Sequence, residues 1–291
     1  VIISLFLMVS SKVEDFSTAH AIESPVFSQA LPGYTYQFPK DFYSHDDFRI
    51  EWWYYTGNLE AIETARPFGY QLTFFRVALN NKNASPNQSQ WKLGHVYFAH
   101  MTLTDVDGEK FYYFERINRK GVGNAGADAD RLMVWNDDWF LEGKGKVHLL
   151  KAIESGTGVE LQLVPEKKLV IHGNNGISQK GSEKGNASHY FSYTRMKTTG
   201  QIFVRGKAYN VLGSSWMDHE YSSNQLNDEL VGWDWFSLKL DDKTELMLYL
   251  LRRKTGGVDS FSSGTFIAAD GSSRHIKQEE FIVRPLSYWT S

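Results

Sequence analysis

The sequence predicts an all-β protein made of two tandem antiparallel barrels, the second of them truncated at its C-terminal end. Apolar and polar residues alternate with a period of two, for example at residues 70–74 and 245–250, and this alternation is typical of strands. Turn sequences rich in Gly, Asn and Asp recur between such segments, as at residues 105–108 and 173–176. Long helical periodicity is absent, and many short strands without intervening helices indicate a barrel or a sandwich.

The length of 291 residues exceeds the usual size of one domain. A polar segment at residues 178–184 precedes a new series of hairpins near residue 201, so we expect a domain boundary between Gly200 and Gly213. The predicted units are a leader and N-terminal extension, a first barrel and a second barrel, at residues 1–32, 33–205 and 206–291. The last unit is too short for a closed barrel of eight strands of typical length, so we expect it to be incomplete.

The N-terminal region resembles a secretory signal. Residues 2–9 are an apolar run that is too short to cross a bilayer. Ala19, His20 and Ala21 offer a small-x-small cleavage site. A hydrophobic N-terminal strand is the alternative, and the chain starts at valine without a basic stretch, as if its beginning were missing. We expect a periplasmic or secreted mature protein that begins near Ile22 and does not insert stably into a membrane.

The composition excludes several classes of function. Hydrophobic residues make up 42% and aromatic residues 15% of the chain, which suffices for a packed core and excludes a disordered protein. Lysine plus arginine (31) nearly balances aspartate plus glutamate (34), and no basic run suggests a nucleic-acid partner. There is no cysteine, P-loop, Gly-x-Ser-x-Gly elbow or His-Glu-x-x-His motif. We therefore expect no cofactor and no metal ion.

Two aromatic segments, residues 51–57 and 232–236, together contain four of the nine tryptophans, and each segment also contains an acid. They are either amphipathic strands with the acid facing water or the wall of an apolar cavity that contains an acid. We favour the cavity and expect a hydrophobic small molecule as ligand. The predicted ligand-binding residues are Glu51, Trp52, Trp53, Tyr54, His100, Trp216, Tyr221, Trp233 and Trp235.

Asp218, His219 and Glu220 place a histidine between two acids. The group has three interpretations: a proton-transfer site, a structural histidine or, with lower weight, a metal site. Asp234 shares a strand face with three apolar residues, so we expect it to be buried with a raised pKa. The resulting hypothesis is that His219, oriented by Asp218 or Glu220, works with Asp234 in proton transfer.

Five segments occur in the order found in the AttH-like, lipocalin-like proteins, which are related to the carotenoid hydratases (hydroxyneurosporene synthases). They are residues 51–57, 99–105, 173–181, 216–220 and 232–236. The chain resembles this family from about Gly33 to its end. The resemblance implies two tandem lipocalin-like barrels and export, and it implies an association with ABC-transporter components, beside which some members are encoded.

The resemblance also implies a chemistry. Carotenoid hydratases protonate an alkene and add water without a cofactor, using a histidine near a tryptophan and a later Tyr-x-Asp. His219 matches that histidine and Tyr249 the tyrosine, which adds Tyr249 to the candidate catalytic residues as a phenol donor. Tyr221 stands at the tryptophan position, and Leu250 and Leu251 follow Tyr249 where the acid would lie. The resemblance thus implies the reaction class and not a carotenoid substrate.

Two functions follow from these patterns. The first is a cofactor-free hydro-lyase or hydrolase that acts on an isoprenoid- or lipid-like molecule. The second is a non-catalytic carrier that delivers such a molecule to an ABC transporter. Both need an apolar cavity, and only the first needs a proton donor that faces it.

Overall fold

The structure, a computed structural model, describes residues 27–79, 94–120, 123–224, 226–227 and 229–287. The proposed signal run and cleavage site lie outside the described residues. Two short 3-10 turns, Lys40–Phe42 and Gln278–Glu280, accompany a series of strands. The strands are β1 (Ile50–Ala61), β2 (Pro67–Ala78), β3 (His95–Asp105), β4 (Lys110–Arg119), β5 (Ala125–Ala127), β6 (Met133–Asn136), β7 (Trp139–Lys144), β8 (Val147–Glu154), β9 (Thr157–Pro165), β10 (Val170–Ile171), β11 (Ser178–Gln179), β12 (Ala187–Val204), β13 (Lys207–Ser222), β14 (Leu230–Lys239), β15 (Glu245–Arg253), β16 (Ser263–Ile267) and β17 (Ser273–Lys277).

The first sheet forms a nearly closed antiparallel barrel. Its strand order is β4-β3-β2-β1-β13-β12-β9-β8-β7-β6-β5, with β10 and β11 also pairing with β12. Side chains of β4 reach across the remaining gap: Arg116 Nη1 lies 2.5 Å from Asp138 Oδ1, and Asn118 Nδ2 lies 2.7 Å from Asn136 Oδ1. The predicted all-β barrel architecture is confirmed.

Large side chains fill the interior of this barrel. Trp53, Tyr55, Phe74, Tyr97 and Trp139 are each at most 1% exposed and belong to one core cluster. The chain before β1 adds to this packing, because the carbonyl of Phe42 accepts a hydrogen bond of 3.1 Å from Trp53 Nε1. The barrel interior is therefore filled by packed side chains over the described residues.

The second sheet has four antiparallel strands in the order β14-β15-β16-β17. It packs on the outer face of the barrel through a second apolar cluster that draws on β1, β12, β13, β14 and β15. Glu245 also joins the two sheets, because its carboxylate accepts hydrogen bonds of 2.7 Å from Lys167 Nζ and Arg195 Nε. Strand β1 is consequently covered on both faces, which explains its almost continuous burial.

The division between the two sheets falls later than the predicted boundary. The interval between residues 205 and 206 lies in the tight turn that connects β12 to β13. Strand β13 remains in the first sheet because it pairs with β1 along its whole length, from Ile50↔Ser222 to Ala61↔Val211. The chain passes to the second sheet between Ser222 and Leu230. None of the helices in the described ranges has the length and apolar character needed to cross a membrane.

Candidate functional site: an aromatic cleft between the two sheets

A small cleft, partly open to solvent, lies where the second sheet covers the barrel. Strands of both sheets and two connecting segments form its walls. The lining residues are Trp52, Lys180, Tyr190, Glu220, Leu226, Trp233, Trp235, Tyr249 and Leu251. The predominantly aromatic lining suits an apolar ligand.

The rings on the two walls contact one another across the sheet interface. Trp52 on β1 stacks on Trp233 on β14, with centroids 6.4 Å apart and planes at 16°. Trp235 makes an edge contact with Tyr54 at 5.3 Å and donates a hydrogen bond of 3.1 Å from Nε1 to Tyr190 Oη. The position of β14 therefore depends on the same rings that would contact a ligand.

One buried ion pair forms the polar part of the wall. Lys180 Nζ lies 2.9 Å from Glu220 Oε1, and both side chains are less than 10% exposed. The ammonium also lies 4.3 Å from the centroid of the Tyr249 ring, a favourable cation–π contact. Burial tends to lower the pKa of Lys180, but the charge of Glu220 raises it above its ordinary value. Lys180 is thus a charged group in an apolar wall.

Asp218 lies behind the cleft and is hydrogen-bonded to Tyr190, which lines it. Its Oδ1 also accepts hydrogen bonds from Ser192 Oγ and, at 2.6 Å, from Trp216 Nε1. Burial nevertheless raises the pKa of Asp218 to about 7, because hydrogen bonds from Ser192, Trp216 and Tyr190 only partly offset the loss of hydration. The protonated form of this carboxyl is therefore accessible near neutral pH.

Tyr249, in the cleft wall formed by the second sheet, is held by contacts of its hydroxyl with two serine hydroxyls and one backbone carbonyl. Its hydroxyl lies 2.7 Å from Ser263 Oγ, 3.2 Å from Ser178 Oγ and 3.2 Å from the carbonyl of Gln179. These contacts fix the phenol at the junction between β15 and the connection that contains Lys180. Tyr249 is consequently a rigid lining residue.

A separate polar cluster lies inside the barrel, on the opposite face of β1 and β13. Glu51 Oε1 lies 2.7 Å from His45 Nδ1 and 2.9 Å from His219 Nε2, and Glu51 Oε2 lies 3.0 Å from Arg76 Nε. Burial by itself would raise the pKa of Glu51, yet the charges of His45 and Arg76 and the hydrogen bond to His219 hold it well below its ordinary value. Burial also lowers the pKa of His219, against the effect of Glu51.

The neighbouring groups complete a charge-balanced network. Burial opposes protonation of His45, but Glu51 and Asp41 raise the pKa of this histidine to about 9. Burial likewise opposes ionisation of Asp41, but hydrogen bonds with His45 and Tyr34 lower the pKa of Asp41 to about 2. Two cations, His45 and Arg76, thus face two carboxylates, Glu51 and Asp41.

The predicted site residues fall into four groups. Four of them line the cleft: Trp52, Trp233, Trp235 and Tyr249. Three pack directly behind it: Tyr54, Trp216 and Asp218. Four face the barrel interior instead: Glu51, Trp53, His219 and Tyr221. His100 contacts Phe75 at 5.4 Å and Glu115 at 2.9 Å and does not line the cleft, and neither does Asp234.

Two geometric expectations were wrong. Asp234 is not enclosed, because its side chain is 27% exposed and lies 3.5 Å from Arg252 Nε. His219 is not oriented by Asp218 or Glu220, because consecutive residues of β13 project to opposite faces of the sheet. Glu51, on the neighbouring strand β1, orients the imidazole instead through its contact of 2.9 Å with His219 Nε2. The structure therefore does not bring His219 and Asp234 together.

Three polar or aromatic lining residues were not assigned to ligand binding from the sequence: Lys180, Tyr190 and Glu220. Lys180 lies in the segment at residues 173–181, one of the five that carried the family resemblance. No other feature of the sequence pointed to this lysine. Tyr190 lies in an aromatic strand without any distinguishing pattern. Glu220 was considered only as a partner of His219.

An all-β barrel covered by a second sheet, with an aromatic cleft between them, defines a lipocalin-like fold. The AttH-like family model matches residues 29–291, and the chain belongs to this family. A crystal structure of a candidate AttH from Nitrosomonas europaea is 31% identical, with a TM-score of 0.82, and the match covers 91% of this chain and 79% of that one.

A more distant structure shows the same fold. Kievitone hydratase from Nectria haematococca superposes with a TM-score of 0.58 at 10% identity, over 88% of this chain and 72% of that one. At this identity the likeness shows the fold alone. Comparison with curated proteins gives no match.

Proposed function

We propose that the cleft between the sheets binds a hydrophobic, isoprenoid- or lipid-like small molecule. The observation that carries this proposal is the convergence of Trp52, Trp233, Trp235 and two tyrosines, from both sheets, on one cleft. Aromatic walls offer large apolar contact areas, and a few fixed polar groups orient the ligand. Lys180 and Glu220 are the groups that would orient it.

We further propose that the protein acts on this molecule by cofactor-free acid catalysis of the hydratase class. When Asp218 is protonated, its O–H donates to Tyr190 Oη, and the Tyr190 O–H is released toward the cleft. A proton passed from Tyr190 to an alkene carbon is replaced from Asp218, and water that adds to the resulting cation loses its proton to Glu220. Glu220 then releases this proton to solvent and Asp218 takes one up, which restores both groups for the next turnover. A positioned acid of this kind contributes ~10²–10⁴-fold in rate.

A carrier without catalysis is the second candidate. It is favoured by the pairing of the wall's polar groups within the protein, since Lys180 is bound to Glu220 and Tyr249 to Ser263. Such a wall can hold an apolar molecule without reacting with it. In this case the resemblance to AttH-like proteins suggests transfer of the ligand to ABC-transporter components, which should then co-purify with the tagged chain.

Binding can be tested before the ligand is known, using the dye 1-anilinonaphthalene-8-sulfonate. Trp233→Ala removes one ring of the Trp52–Trp233 stack and should weaken dye binding by about tenfold or more, roughly 1.4 kcal/mol. Trp135→Ala, on the remote strand β6, is the matched control and should bind like the wild type. Equal affinity of all three proteins, or no binding by the wild type, would contradict a ligand site in the cleft.

We also propose that the mature protein is periplasmic or secreted and begins near Ile22. The support is the apolar run at residues 2–9 followed by the site at Ala19, His20 and Ala21. N-terminal sequencing of protein from a periplasmic extract tests it. Recovery of an uncleaved chain from the cytoplasm would count against export.

A further inference from the structure

The proposed function leaves the polar cluster inside the barrel without a role. Its centre is Glu51 Oε1, on which two imidazole nitrogens converge: His45 Nδ1 at 2.7 Å and His219 Nε2 at 2.9 Å. One ligand-type atom from each of these residues lies within 4.8 Å of the others. Glu51 and His219 are fully buried, whereas the His45 side chain is 14% exposed and gives the cluster a path to solvent.

Two imidazoles and one carboxylate are a donor set that first-row divalent cations bind, and the ion displaces the proton that His45 carries in its absence. Zinc sites with an open position use two histidines and a glutamate, with bonds of about 2.0–2.1 Å. Two such ligand atoms are about 3.3 Å apart in tetrahedral geometry. The present contacts of 2.7 and 2.9 Å would have to open by roughly 0.5 Å, which is a small adjustment of side-chain torsions.

The surroundings already orient two of the three donors. Glu51 Oε2 is held by Arg76 Nε at 3.0 Å and by the backbone N–H of His45 at 3.0 Å, so that Oε1 is left for the two imidazoles. Behind His45, its Nε2 lies 3.5 Å from Asp41 Oδ1, the carboxylate–histidine arrangement that orients metal ligands. Arg76 and Asp41 thus act as outer supports for Glu51 and His45.

A further observation concerns His219. Among the described residues its Nδ1 has no hydrogen-bond partner, although the side chain is fully buried. An unsatisfied buried nitrogen costs free energy and indicates that something besides packing retains the histidine. Coordination through Nε2 would leave Nδ1 unchanged, but the added bond to the metal would offset this cost.

From these contacts we propose that His45 Nδ1, Glu51 Oε1 and His219 Nε2 bind a divalent transition-metal ion of the zinc class inside the barrel. Water or a second small ligand completes the coordination. The site is separate from the cleft, because β1 and β13 lie between them, and it stands independently of the proposed function.

The test uses the whole chain, first dialysed against a chelator, with Zn²⁺ and Co²⁺ as probes. Calorimetric titration of the wild type should show one equivalent of Zn²⁺ with a Kd on the order of 1 μM or tighter. Co²⁺ should give the intense visible absorption of a four- or five-coordinate protein site rather than the weak spectrum of the hydrated ion. This second readout needs no substitution and is unaffected if a variant folds poorly.

His45→Gln and His219→Gln should each weaken Zn²⁺ binding by at least ~100-fold. The matched control is His189→Gln, which alters another buried histidine, 5.0 Å from the Tyr221 ring but outside the triad. It should bind like the wild type. No stoichiometric binding by the wild type, a hydrated-type Co²⁺ spectrum, or binding that survives both substitutions in the triad would overturn the proposal.

Discussion

Glu51→Gln is expected to lower the free energy of unfolding by ~3–5 kcal/mol, the usual cost of removing one partner from a buried ion pair. The substitution leaves Arg76, which is 0% exposed, and protonated His45 beside a neutral amide. Both cations then lack their principal counter-charge in a medium of low dielectric constant. The carboxylate cannot be replaced by solvent, because the barrel core encloses the network.

Urea unfolding at pH 7 in the presence of a chelator measures this effect without a contribution from metal ions. Glu60→Gln is the matched control, since Glu60 lies on the exposed part of the same strand. It should change stability by no more than ~0.5 kcal/mol. Similar small changes for both variants would show that the Glu51 network contributes little to the fold.

Asp218→Asn should remove a pH dependence of stability of about 4 kcal/mol. Asp218 has a pKa of about 7 in the folded protein and an ordinary value of 3.8, so the folded state binds the proton more tightly. Stability from this group is therefore fully present below pH 3.8 and is lost as the pH rises through 7. One pKa unit corresponds to about 1.4 kcal/mol, which gives the stated span.

Comparison of the variant with the wild type between pH 4 and 8 isolates this effect, because other titrating groups cancel in the difference. The variant should become progressively more stable than the wild type as the pH rises, and if a substrate is in hand it should lose most turnover. A difference that is constant with pH would mean that Asp218 ionises like a solvated carboxyl. Asp218 could then not serve as the acid.

Much of the fold follows directly from the sequence, because strand periodicity and turn residues are local properties of the chain. The position of the sheet division does not, since it depends on whether β13 pairs backward with β1 or forward with β14. Both pairings are compatible with the same alternation of apolar and polar residues. The long register between β1 and β13 decides it, and that register is a contact between residues about 160 positions apart.

The site was predictable only in part for the same reason. The segment at residues 51–57 is buried on both faces, so its sequence does not reveal that Trp52 faces the cleft while Trp53 faces the barrel core. Asp234 and Asp218 have similar aromatic neighbours in sequence. Only the packing of the second sheet encloses Asp218 and leaves Asp234 beside Arg252.

The most direct test of the cleft as the ligand site is solvent extraction of the purified protein followed by mass spectrometry of the released small molecules. Wild type, Trp52→Ala and the control Trp135→Ala should be purified in parallel from the same host. We predict one hydrophobic compound at near-stoichiometric amounts in the wild type and the control, and its depletion in Trp52→Ala. Equal amounts in all three proteins, or no hydrophobic compound in the wild type, would contradict ligand binding between the two sheets.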